Sequence, residues 1–291
     1  MVSDKATGVL MLEPTNEQRS ALRDIQGTLA LAQFLAIKDQ DAFDHYRSAS
    51  ELAVLEACGQ RTHGVNIDQV LAGGEMHYQA ITVDIFPSNG AALNAFDAVS
   101  AERQAALSDI YALAVHPANR LPRIAKAFSF LSPLLSRMLG TLSEREMTGF
   151  AELADPEKGP VPETLAVLKE HDQTTPFYRM NLNKYYPSAQ YKNGENISGE
   201  QAYNRYGSRI LPYLISVGGC PDFVGHTLGV FVGDESSPLH DDWSDFAMVY
   251  YPSRQNFIHM MTNAPKEGAH HRDAGLEKAV LMPSSVFSSS R

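Results

Sequence analysis

Residues 14–39, PTNEQRSALRDIQGTLALAQFLAIKD, and residues 162–186, PETLAVLKEHDQTTPFYRMNLNKYY, are two versions of one segment. A shift of 148 positions lays Pro14 on Pro162, Gln33 on Asn181 and Leu35 on Asn183. Three more matches follow in the same order. DAFDHYRSASELAVLEACG (41–59) aligns with GEQAYNRYGSRILPYLISVGG (199–219), placing Phe43 on Tyr203, Tyr46 on Tyr206 and Gly59 on Gly219. VDIFPSNGAAL (83–93) aligns with MVYYPSRQNFI (248–258), and ERQAALSDIYALA (102–114) with HRDAGLEKAVLMP (271–283). Ordered matches separated by unequal gaps are what duplication followed by loop insertion leaves behind.

Each copy reads as the same run of elements. A short apolar segment bounded by breakers (Leu29 to Ile37; Phe177 to Tyr185) predicts a strand. A helix follows, with Tyr203, Tyr206, Ile210, Leu214 and Val217 forming one stripe at steps of three or four. It stops at Gly59 in one copy and at Gly218-Gly219 in the other. Pro212 should kink the second helix or lie near its start. Two strands come next, in the second copy near Asp222–Val232 and Phe246–Tyr251. Ser88 and Ser253 then stand as N-caps of another helix. Last strands are expected near Asp109–Val115 and Lys278–Met282. The order β-α-β-β-α-β is the ferredoxin-like plan, so the fold class is α+β: two tandem ferredoxin-like units, able to set their sheets face to face, with a helical connector. The expected divisions are 1–116 for the first unit, 117–176 for a connector broken at Pro133, 177–283 for the second unit and 284–291 for a disordered tail.

Composition narrows the function. The chain has 291 residues, 44% hydrophobic and 20% charged, with no apolar run of the roughly 18–20 residues that a membrane span needs. Its 24 basic and 34 acidic residues give a net charge of −10, so nucleic acid and membrane are not expected partners. Cys58 and Cys220 make neither a disulfide framework nor a zinc spacing. The opening MVSDKATGVLMLEPTNEQ lacks a basic region followed by an apolar one, which reads as a cytoplasmic protein. The expected partner is a small molecule, and the expected assembly a monomer with an intrachain barrel or a homodimer.

The motifs PFYRMNLNKYY, Tyr203 to Gly207, Trp243 to Ser253 and Arg272 to Leu276 together resemble the dimeric α+β barrel superfamily. That group includes EthD-like and antibiotic-monooxygenase-like proteins, and the match is to an uncharacterised branch of it. The second copy departs from the pattern at Trp243-Ser244, with Asp242 before the Trp and Asp245 two residues after it. The resemblance implies the fold, with the two ferredoxin-like units forming an α+β barrel, and a range of activities: cofactor-free monooxygenases, polyketide cyclases, isomerases, dehalogenating lactone enzymes and haem proteins. Fold alone does not select among them.

The copies differ in polarity where they should be equivalent. Leu31, Gln33 and Leu35 correspond to Arg179, Asn181 and Asn183, an alternating polar face that is costly to bury without a ligand or a dense network. One reading is a polar floor, with Arg179 for a carboxylate or enolate oxygen and Asn181 and Asn183 as donors. The other pairs Arg179 with Asp245 or Glu200. Five of the ten histidines, His226, His240, His259, His270 and His271, fall in the second copy. His226 lies mid-strand, facing core or cavity, and His271 lies in a loop before the last strand; either suits a general base. The candidate catalytic residues are His226, His271, Arg179 and Asn181. The candidate substrate-binding residues are Asn183, Tyr203, Tyr206, Asp245 and Arg272, although Tyr203 and Tyr206 also read as core. Trp243 reads as a strand-edge anchor. His240-Asp241-Asp242 resembles a metal trio, but adjacent loop residues rarely converge on one ion, and no metal site is assigned.

The expected function is a cofactor-independent enzyme acting on a small hydrophobic carbonyl compound or carboxylic acid by proton abstraction and enolate stabilisation. Isomerases, cyclases, lyases and cofactor-free monooxygenases share that step. The alternatives are a non-catalytic binding or stress-response module, and a haem- or metal-dependent oxidoreductase.

Overall fold

The computed structural model describes residues 12–118, 120–141 and 158–287. The first copy runs α1 (Asn16–Asp24), β1 (Leu29–Ile37), α2 (Gln40–Glu56), β2 (Gln60–Ile67), β3 (Ala80–Phe86), α3 (Asn89–Ala98), α4 (Ser100–Ala106) and β4 (Leu107–Pro117). The connector holds α5 (Arg120–Phe128), α6 (Ser132–Leu139) and α7 (Pro162–Glu170). The second copy runs β5 (Phe177–Tyr185), α8 (Gly199–Ser216), β6 (Cys220–Val232), β7 (Asp245–Tyr251), α9 (Arg254–Asn263), α10 (Lys266–Gly275) and β8 (Leu276–Val286).

The duplication is residue for residue at the strands. An offset of 148 carries both ends of β1 onto those of β5, 165 carries β3 onto β7, and 169 carries β4 onto β8. Even the register shift at Ala36–Ile37 recurs at Lys184–Tyr185. The first copy orders its strands β4-β1-β3-β2 and the second β8-β5-β7-β6, all antiparallel where they pair. This is the ferredoxin-like order, so the α+β class read from the sequence holds. Two compact units divide the chain. One takes residues up to Gly64, Met76–His116 and Leu228–Asp241; the other takes Val65–Glu75, Pro117–Thr227 and Asp242 onward.

Local chemistry explains the element ends. Ser88 accepts from the Ala91 amide and Ser253 from that of Asn256, each capping the helix that follows. Gly59 and Gly219 sit where a Cβ would meet Phe86 and the Ile85 carbonyl at 2.8 and 2.9 Å, or Leu214 at 2.4 Å. The residue that turns left-handed is the one before: Gly218 at φ +77° in the second copy, Cys58 at φ +57° in the first.

Some expectations need correction. The segment carrying His270, His271 and Arg272 is helix α10, not a loop, and α4 is its counterpart. Of the two places expected for Pro212, the structure has it inside α8. Pro133 opens α6 after a short 3-10 turn, because a proline's missing N–H costs nothing in a first helical turn. The last strand reaches Val286 and pairs Ser284 with Tyr178, so the expected tail from 284 begins too early; residues 288–291 lie outside the described residues. No helix among the described residues is long and apolar enough to cross a membrane.

In the second unit Phe177, Tyr251 and Phe257 pack ring on ring, with centroids 5.1–6.1 Å apart. Burying each such ring contributes about 2–3 kcal/mol. They form one wall of an apolar cluster with Leu214, Val249 and Met261, beside the polar side chains of β5.

Candidate functional site

Alternation along β5 places Arg179, Asn181, Asn183 and Tyr185 on one face, while Met180 and Leu182 are buried on the other. Register sets Val249 of β7 opposite Arg179, Ala247 opposite Asn181 and Asp245 opposite Asn183. Above this floor α8 presents its stripe of Tyr203, Tyr206, Ile210 and Leu214, the spacing seen in the sequence. Between stripe and floor is a cavity of about 390 Å³, closed at one side by Pro221 and Val224 of β6. That is within the range of small-molecule sites: apolar walls with a few convergent polar groups.

The polar groups are arranged in a chain. The Arg179 Nε donates to Asn181 Oδ1 at 3.0 Å, which leaves the Asn181 amide NH₂ as a donor. The guanidinium lies 5.8 Å from the centre of the Tyr251 ring and 5.3 Å from that of Phe257. No carboxylate pairs with it among the described residues; the alternative partners Asp245 and Glu200 are engaged elsewhere or apart from it. Asp245 accepts a hydrogen bond on Oδ2 from the Tyr185 hydroxyl. Asn183 Oδ1 and Asp245 Oδ1 are both buried without a hydrogen-bond partner among the described residues. Two orphaned acceptors side by side mark a place for a donor.

Burial raises the Asp245 carboxyl above the usual carboxylate range, against the pull of the Tyr185 hydrogen bond and the His226 ring. Burial likewise raises the Tyr185 and Tyr203 phenols, and pushes Tyr251 up to about 12 although Arg179 opposes it. All three hydroxyls are therefore protonated near neutral pH.

A smaller chamber of about 20 Å³ shares Arg179, Asn181, Asn183, Tyr203 and Tyr206 with the main cavity and adds Arg272 and Lys158. Arg272 is buried and donates to Asp273 at 3.0 and 3.1 Å. Gly159 allows its approach, since a Cβ there would meet the guanidinium at 2.8 Å.

The histidines divide. His226 is exposed, facing neither core nor cavity interior, yet its Nδ1 stands 3.5 Å from Asp245 Oδ1. His271 is away from the cavity: its Nδ1 meets the Tyr191 hydroxyl at 2.5 Å, and burial and the Arg209 and His270 charges lower its pKa. Of the residues singled out from the sequence, Arg179, Asn181, Asn183, Tyr203, Tyr206 and Asp245 line the cavity, Arg272 joins the smaller chamber, and His226 reaches it through Asp245. Trp243 is buried outside the cavity, beneath Lys278. Tyr185, Pro221 and Val249 are site residues that the sequence reading passed over.

The first unit has the same place, and it is filled. Arg61 and Asp84 form a bidentate ion pair there at 2.8 and 2.9 Å, with side chains 10% and 1% exposed. Gln33 donates to Asp84 at 3.1 Å and Arg61 to Ser50 at 3.2 Å. What remains beside Tyr46 and Phe86 is about 10 Å³. By the strand and helix offsets, Tyr46, Ser50, Arg61 and Asp84 correspond to Tyr206, Ile210, Pro221 and Val249.

No protein-family model matches the chain, and no curated protein does. Among solved structures, the RPA0582 protein from Rhodopseudomonas palustris matches at 24% identity and TM-score 0.41–0.42, covering 45–46% of this chain and 97–98% of its own. Chlorite dismutase from Candidatus Nitrospira defluvii in complex with imidazole matches at 10% identity and TM-score 0.41, covering 92% of this chain and 94% of its own. These likenesses concern the fold and say nothing of activity.

A haem would need an axial ligand aimed into the pocket. No histidine lines the cavity, and no group of three His, Cys, Asp or Glu suited to a metal occurs, among the described residues. Burial disfavours the phenolate that a tyrosine ligand would need at Tyr185, Tyr203 and Tyr251, so these residues fit neither group.

Proposed function

We propose that the second unit binds a small, largely apolar molecule bearing a carbonyl or carboxylic group and transfers a proton to or from it. The observation that carries this reading is the contrast between equivalent places: about 390 Å³ in one copy, about 10 Å³ in the other. A duplicated fold that keeps one copy packed and holds the other open gives up the packing of that place, which a bound ligand restores.

In this reading Asp245 replaces the histidines as the proton acceptor. Its Oδ1 has no hydrogen-bond partner among the described residues, burial raises its pKa, and Tyr185 fixes its other oxygen. His226, exposed and 3.5 Å away, passes the proton to solvent. The Asn181 amide donates to the oxygen on which negative charge develops, and Arg179 supplies positive potential to that end of the floor. The Tyr203-to-Gly207 and Tyr-Pro-Ser motifs that resemble EthD-like proteins border this cavity through Tyr203, Tyr206, Gly207 and Tyr251, consistent with that superfamily's small-molecule chemistry.

Proton abstraction is measurable before the full reaction is known. In D₂O, α-hydrogens of enolisable aryl ketones and acids should exchange faster with the wild-type protein than with Asp245→Asn. Equal exchange by both would leave binding without chemistry as the function of the cavity.

A further inference from the structure

Three neighbouring strands carry one position each at the heart of the site. In the first copy the row across β1, β3 and β2 reads Leu31, Asp84, Arg61: Leu31 faces Asp84 in register, and Arg61 grips Asp84 from the other side. In the second copy the row across β5, β7 and β6 reads Arg179, Val249, Pro221, with Arg179 facing Val249 and Val249 facing Pro221. Both rows keep one arginine, on opposite flanks. Only the first keeps the central carboxylate. The amide beside it is also kept: Gln33 donates to Asp84, and Asn181 stands at the corresponding position with its NH₂ uncommitted.

We propose that the ligand of the second copy carries a carboxylate, and that this group occupies the space the Asp84 side chain fills in the first. There it would lie over Val249, paired with Arg179 and receiving the Asn181 amide, while the apolar body of the ligand runs under Tyr203, Tyr206 and Ile210. The inference rests on the cavity being a ligand site, as proposed above, and adds the class of ligand.

A buried arginine is usually retained with a partner, because the uncompensated charge is costly. Arg61 has Asp84, and Arg103 of α4 has Glu13 at 2.5 Å. Arg179 is half-buried, facing the cavity with two aromatic rings and an amide oxygen beside it but no acid among the described residues.

The test uses 4-phenylbutyrate and its uncharged counterpart 4-phenylbutanol, titrated calorimetrically into the whole protein. The acid should bind at least ten-fold more tightly, and Arg179→Gln should abolish that preference while leaving the alcohol unchanged. Equal affinity for the two would overturn the carboxylate assignment and leave the apolar cavity standing. Binding of neither would overturn both. A second measurement needs no ligand. Val249→Asp restores the missing carboxylate beside Arg179; it should melt within a few degrees of wild type and lose the acid. In an Arg179→Gln background the same change buries an unpaired charge and should lower Tm by about 10 °C. Equal losses in both backgrounds would mean that Arg179 does not receive a carboxylate there.

Discussion

Asp84 and Val249 occupy the same place on equivalent strands, one facing Leu31 across the ladder and the other facing Arg179. The exchange of a carboxylate for an isopropyl group, together with Arg61 for Pro221, separates a packed site from an open one. Where the ion pair stands, the copy is closed by its own side chains. Where it is gone, Arg179 and Asn181 line an open, largely apolar space.

If the Arg61–Asp84 pair is structural, Asp84→Ala strands a buried guanidinium. Breaking such a pair costs about 3–5 kcal/mol, so Tm should fall by about 10 °C. Ligand binding, measured below the new melting point, should be unchanged. A parallel loss of binding would place the site in the wrong copy.

Asp245 should trade stability for function. Burial raises its folded pKa, so the native state holds this proton more tightly than the unfolded chain does. Its stabilising contribution is present below the unfolded pKa and is lost as pH rises through the folded value. Asp245→Asn should therefore melt higher than wild type at pH 7, less so at pH 4, while proton exchange falls by about 100-fold or more. The wild-type exchange rate should drop on the acid side at a pH above the ordinary carboxylate range. A rate that stays flat down to pH 4 would exclude Asp245 as the base.

His226 and His271 should separate cleanly. His226→Gln should slow exchange and make it more responsive to buffer concentration, because buffer must then carry the proton that the ring relays. His271→Gln, which touches Tyr191 and not the cavity, should leave exchange and binding within about two-fold of wild type. The reverse pattern would restore the loop-histidine reading of the sequence.

Cys58 holds a left-handed conformation that its counterpart Gly218 adopts without strain. Cys58→Gly should raise stability by about 1 kcal/mol, read as a rise of about 2–4 °C in Tm. A fall would mean that the thiol makes a contact worth more than the backbone strain.

Most of the fold is legible in the sequence, because duplication states each element twice. Aromatic-Pro-Ser ends a strand and caps a helix in both copies, and a strand ambiguous in LALAQFLAI is clearer in FYRMNLNKY. The polar face Arg179, Asn181, Asn183 is legible for the same reason: alternation puts its members together whatever the loops do. The histidines are not, since a side chain's direction at His226 depends on strand register, and α10 turns His271 toward Tyr191. Tyr185 lies on that same polar face and could have been read from the same alternation. Pro221 and Val249 escape notice because apolar residues in strands look like ordinary core. Their meaning lies in what they replace, and the alignment of 83–93 on 248–258 already sets Asp84 on Val249.

The central claim is that a small molecule sits beneath α8 in the second unit. The direct measurement is calorimetric titration of 4-phenylbutyrate into wild type and into Ile210→Trp, whose indole would fill the cavity at the place where Ser50 lies under the closed copy's helix. The account predicts saturable binding to wild type and none to a folded Ile210→Trp. Undiminished binding to that variant would contradict it.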